Sequence, residues 1–107
     1  MKTFATPILA GGLALAAAAP AAEPTAPEAL ARASGCFTCH ALDRKLIGPS
    51  YRDIAARYRG SRTAQAELFE KVKSGGRGVW GDVPMPPQAH LKDEDIKTLV
   101  LWILSAP

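Results

Sequence analysis

Cysteine is scarce in this 107-residue chain, and both copies, Cys36 and Cys39, fall in one pentapeptide. No distant cysteine is left to close a large loop, so a disulfide-stapled scaffold is excluded. Aromatic residues make up only 7%. With no basic stripe interleaved with stacking rings, nucleic-acid binding has no signature here. Long hydrophobic runs are also missing. Pro7 and Pro20 bracket 12 residues, against about 20 for a spanning helix, so stable membrane insertion is not expected. No alternating apolar pattern reads as a strand, and no internal repeat occurs. The length admits one small domain at most. A domain of that size leans on a disulfide, a metal, a cofactor or an oligomeric contact for stability.

The N-terminus carries one cation, Lys2, then an alanine-rich stretch with Ile8, Leu9, Leu13 and Leu15, and closes on Ala19-Pro20-Ala21. This reads as a secretory signal peptide over residues 1–21, cleaved near Ala21, with the exported domain at 22–107. A retained membrane tether is the alternative. Ala22 to Pro27, with its Pro and Ala, reads as a flexible lead-in. Without Lys2 the exported part holds 12 Lys and Arg against 10 Asp and Glu, a mild basic excess. Arg44, Lys45, Arg52, Arg57, Arg59 and Arg62 nonetheless lie within 19 residues and are opposed only by Asp43 and Asp53. Such a run forms a local positive face suited to steering an acidic partner.

Four helices are expected. The first runs from about Pro27 to Cys39, with Pro27 and Glu28 placed where an N-terminal turn accepts them. The second spans Tyr51 to Tyr58 and stops at Gly60. The third spans Ala64 to Ser74, stops at Gly75 and Gly76, and has an inward stripe of Leu68, Phe69 and Val72. The last begins at Asp93-Glu94-Asp95 and repeats Ile96, Leu99, Val100, Ile103 and Leu104 at helical spacing. Its three carboxylates suit the positive helix end and need no catalytic role. Between the third and fourth helices lies a 17-residue stretch, Gly75 to Leu91, rich in Gly and Pro. Loops of that length in a small domain are usually functional.

The chemistry sits at Cys36-Phe37-Thr38-Cys39-His40. C-x-x-C-H is the attachment pattern of c-type haem. Extending the first helix through it places Cys36, Cys39 and His40 at i, i+3 and i+4 on one face. Each thiol can then add to a porphyrin vinyl group, with the imidazole under the iron. Gly35 permits close approach of the macrocycle. Three rival readings are weaker. A Cys36–Cys39 disulfide closes too small a loop to stabilise much and leaves His40 unexplained. A thioredoxin-type pair needs a βαβ context that is missing. A zinc site of Cys36, Cys39, His40 and His90 has the wrong spacing for the common fingers.

A second axial ligand is sought from Met85 or His90. Met85 is the only methionine beyond the leader, and it sits in Val83-Pro84-Met85-Pro86-Pro87, where prolines limit the entropy lost in presenting a thioether. A soft sulfur ligand favours ferrous iron and raises the reduction potential. His90 is read as a surface histidine near a helix start. With both axial positions filled, outer-sphere electron transfer remains. A small haem enzyme or gas-binding sensor with a dissociable Met85 is the alternative.

Gly35-Cys36-Phe37-Thr38-Cys39-His40-Ala41, Ile47-Gly48-Pro49-Ser50-Tyr51, Gly78 through Pro87 and Trp102-Ile103-Leu104-Ser105 together resemble the small bacterial class I c-type cytochromes, close to the cytochrome c-551 (cytochrome c8) group. The resemblance covers nearly all of the exported chain. It implies an all-α fold of about four helices around one covalently attached haem c, in a monomeric electron carrier of the periplasm that is not an enzyme. It also implies Met85 as distal ligand, the Pro49 carbonyl accepting a hydrogen bond from the His40 ring, and the Trp80 indole as a propionate donor. Lys71 stands where a basic side chain meets the inner propionate; lysine there gives a looser pairing than arginine. Gln88 stands where asparagine is common, and Tyr51 and Tyr58 are read as core or haem-packing aromatics. The partners implied are a membrane quinol-oxidising complex as donor and a nitrite reductase, oxidase or peroxidase as acceptor.

Overall fold

Thr25 opens the folded part of the chain: its hydroxyl oxygen accepts the Glu28 N–H at 3.4 Å, and Pro27 fills the first turn of α1 (Ala26–Ala33). These details come from a computed structural model, which describes residues 1–15, 23 and 25–107. The expected signal peptide therefore lies partly outside the described residues, its Ala21 cleavage point included. Residues 1–15 form no helix or strand.

The first helix is shorter than expected. It ends at Ala33 rather than reaching Cys39, because Gly35 adopts φ +85°, a left-handed conformation that an α-helix cannot continue through. Cys36–Thr38 then form a single 3-10 turn. The Arg32 guanidinium, paired with Glu28 at 2.8 Å, sits 4.2 Å over the Phe37 ring and ties the end of α1 to that turn.

Ser50 caps α2 (Tyr51–Tyr58) by accepting the Asp53 N–H at 3.0 Å, and Gly60, at φ +77°, follows the helix end. Next comes α3 (Ala64–Ser74), which carries Lys71 and Lys73 in its last turn, where the helix dipole favours cations. The last helix, α4 (Asp93–Leu104), carries the three expected carboxylates in its first turn. Lys73 and Asp93 join the two helix ends at 3.0 Å; as an exposed pair this adds about 1 kcal/mol at most.

Helices α1, α2 and α3 all pack on α4. Tyr51, Ile54, Leu68, Val72, Ile96 and Val100 form the shared core, each full aliphatic burial contributing roughly 1.5–3 kcal/mol. Among the described residues the architecture is all-α. Among the described residues the sole backbone pairing of β type is an isolated antiparallel bridge, Gly76 with Met85. No helix of the described residues is long and apolar enough to cross a membrane.

Candidate functional site

The core is open on one side, where Cys36, Cys39, His40 and Met85 line one cleft of about 620 Å³. The local fold explains how the C-x-x-C-H segment reaches it without a continuous helix. The Cys39 and His40 N–H groups both donate to the Cys36 carbonyl, at 3.3 and 3.0 Å, so the pentapeptide is wound into one tight turn. Phe37 anchors that turn, packing against Tyr51 at 5.6 Å and Trp102 at 6.2 Å between ring centroids. Burial pushes the Cys36 thiol above its usual range, with the Tyr51 hydroxyl pulling in the opposite direction. Tyr51 itself is raised well above an ordinary phenol, first by burial and then by Cys36 beside it.

His40 is held by the next loop. Its Nδ1–H donates to the Pro49 carbonyl at 2.7 Å, and its ring stacks on Tyr51 at 5.3 Å with 23° between planes. A carbonyl only accepts, so Nδ1 carries a proton, and in the neutral imidazole Nε2 is then the nitrogen with the lone pair.

Met85 is held by the chain just past the end of α3. The Gly76 N–H donates to the Met85 carbonyl at 3.0 Å, and the Met85 N–H donates back to Gly76 at 2.8 Å. Gln88 N–H caps the Val72 carbonyl at 3.0 Å, and the Gln88 amide donates to the Pro86 carbonyl at 2.9 Å. At Gly75, φ +69°, a methyl group would collide with the Met85 carbonyl oxygen, so only glycine lets the loop fold back this closely. Three backbone bonds and one close glycine thus organise the Gly- and Pro-rich loop.

The zinc alternative fails on geometry. Among the described residues no three His, Cys, Asp or Glu side chains converge to hold a metal ion. His90 is exposed, and its Nε2–H is placed to donate to the Ser34 carbonyl at 3.3 Å.

The sequence profile of the cytochrome c family matches residues 26–107. The chain is 45% identical over 106 residues to cytochrome c-551 of Pseudomonas aeruginosa, covering 98% of both. It is 55% identical over 75 residues to cytochrome c-551 of Allochromatium vinosum, covering 70% of this chain and 80% of that one. The crystal structure of Nitrosomonas europaea cytochrome c552 superposes with a TM-score of 0.71 at 42% identity, over 74% of this chain and 98% of that one.

The chain belongs to the cytochrome c family. It has the small all-α class I cytochrome c fold, and it is an electron-transfer protein rather than an enzyme. Its cofactor is one covalently attached haem c. The residues present suit that group. A largely apolar cleft offers two thiols on one turn, an imidazole with a free Nε2, and a thioether, all on its walls.

Other residues expected at the site fall as follows. Lys71 is half-buried and lines the cleft, its Nζ lying against the Gly76 backbone. Trp80 lines the rim and is 42% exposed. Ile47, Val79 and Val83 are exposed on the same rim. The expected positive face is divided: Lys45 lines this cleft, whereas Arg59 and Arg62 line a separate depression beside Leu104. Two features escaped the sequence reading. The Arg57 guanidinium lies 5.3 Å over the Trp80 ring, a pairing with no signal in residue spacing. Gly48 approaches the His40 ring closely, and only its place next to Pro49 hinted at it.

Proposed function

We propose that this cytochrome c carries its haem through thioethers at Cys36 and Cys39, with His40 and Met85 as axial ligands. The Pro49 bond to Nδ1 carries this reading, because it leaves Nε2 as the donor atom in the cleft that His40 lines together with both thiols and Met85. Haem c supplies a one-electron ferric/ferrous couple. The protein's own residues do the rest. Pro49 orients the imidazole, and the Gly76–Met85 bridge holds the thioether against displacement, which limits rearrangement when the charge changes. Lys71 and Trp80, both lining the cleft, would pair with the propionates, Lys71 as a point charge and Trp80 as a neutral N–H donor.

The same reading makes the chain a periplasmic one-electron carrier, exported by a signal peptide at residues 1–21. It takes electrons from a membrane quinol-oxidising complex and delivers them to a terminal nitrite reductase, oxidase or peroxidase. The apolar rim of Ile47, Val79 and Val83, flanked by Lys45 and Arg77, is the contact face for brief redox encounters. The near-infrared charge-transfer band of a thioether-ligated ferric haem tests the ligand set. The band is expected in the natural protein and lost in Met85→Ala; a Met85→Ala protein that keeps it removes Met85 from the iron.

A further inference from the structure

We infer that Gly48 is a positioning residue for His40: its missing side chain is the space into which the imidazole fits, and this sets the ring's tilt toward the iron. The inference rests on His40 being an axial ligand. A methyl group built on Gly48 would lie 2.7 Å from His40 Cε1, 3.0 Å from Nδ1 and 3.2 Å from Nε2. Nearly equal distances to three successive ring atoms put that methyl over the ring face, not at its edge. Contacts this short do not persist, so either the backbone at position 48 or the imidazole must move.

The backbone is fastened. Gly48 N–H donates to the Cys39 carbonyl at 2.7 Å, and the Gly48 carbonyl accepts the Leu46 N–H at 3.1 Å. Tyr51, stacked on the imidazole and buried in the core, resists displacement as well. The ring is what yields, and its tilt stretches the Nδ1–H bond to Pro49. Gly48 is not among the glycines in the left-handed region. Alanine is therefore tolerated by the main chain there, and its effect arises from contact with the ring rather than from backbone strain.

Gly60 supplies the opposite case. It has φ +77° and nothing within 4 Å of a built methyl, so alanine there strains the backbone and touches nothing. The test compares Gly48→Ala and Gly60→Ala as haem-loaded proteins. Gly48→Ala is expected to speed solvent exchange of the His40 Nδ1–H about tenfold, the equivalent of one weakened hydrogen bond. It is also expected to shift the midpoint potential upward, since an imidazole that no longer donates to Pro49 gives less electron density to ferric iron. Gly60→Ala is expected to lose stability with both readouts unchanged. Unchanged exchange and potential in Gly48→Ala, or equal changes in the two variants, overturn the inference.

The natural protein provides a second measurement if Gly48→Ala does not accumulate. A strong nuclear Overhauser contact between Gly48 Hα and His40 Hε1 in the reduced state supports the close approach, and its absence refutes it. A natural protein without histidine-ligated haem would instead refute the proposed function, a distinct outcome.

Discussion

Replacing Ser50 with alanine tests how the helix framework supports the iron-binding side. Ser50 is 1% exposed, and its hydroxyl oxygen accepts the Asp53 N–H at 3.0 Å at the start of α2. Loss of a serine cap costs about 0.5–2 kcal/mol, and the burial of the Ser50 side chain puts this site in the upper half of that range, because removing its hydroxyl leaves a small void in the packing as well as an unpaired N–H. In a domain of this size each kcal/mol lowers the unfolding midpoint by about 4–8 °C. Ser50→Ala is therefore expected to lower Tm by roughly 5–16 °C in a scan of the haem-loaded protein. The midpoint potential is expected to hold, because the chain flanking Pro49 stays anchored by Tyr51 N–H to the Ala41 carbonyl and Arg52 N–H to the Leu42 carbonyl. A Ser50→Ala protein as stable as the natural one would refute the capping argument. A large shift in potential would show that Pro49 depends on the cap.

Met85→Ala keeps the main-chain bridge to Gly76, so the loop is expected to stay in place while cyanide binds readily and the potential falls; unaltered cyanide affinity would count against the assignment. Tyr51 is raised above an ordinary phenol mainly by burial, so folding favours its protonated form. That stabilisation is complete below about pH 10, the unfolded value, and is lost as pH climbs from there toward the higher folded value. Tyr51→Phe is expected to flatten the alkaline limb of a stability–pH curve, and an identical limb in both proteins would refute this. A double-mutant cycle between Arg57→Ala and Trp80→Leu is expected to give about 0.5–1 kcal/mol of coupling, measured by denaturant unfolding. Zero coupling would leave the two side chains independent.

Much of the helical framework was legible because its punctuation is strong. Tyr51–Tyr58 and Ala64–Ser74 end at glycines with positive φ nearby, and Asp93 begins α4 with three carboxylates that suit its dipole. Gly35 is why the first helix stops short of Cys39. Read as room for a macrocycle, it also breaks α1, and the C-x-x-C-H turn is wound by local hydrogen bonds instead of by helix continuation. Cys36, Cys39, His40 and Met85 were legible from residue chemistry, and the structure places them on one cleft. The Gly76–Met85 pairing was not, since two short stretches of Gly- and Pro-rich chain carry no periodic pattern that selects a register. Gly48 and Arg57 act through distances across loops, and spacing along a chain does not encode those.

Intact mass under denaturing conditions tests the central claim most directly, since thioether bonds survive unfolding and axial ligation does not. Protein matured in cells with a working haem-attachment system is expected to show a single species of chain plus one haem, with no thiol left at Cys36 or Cys39 to react with an alkylating reagent. A bare chain with two alkylatable thiols, from the same cells, would contradict the account.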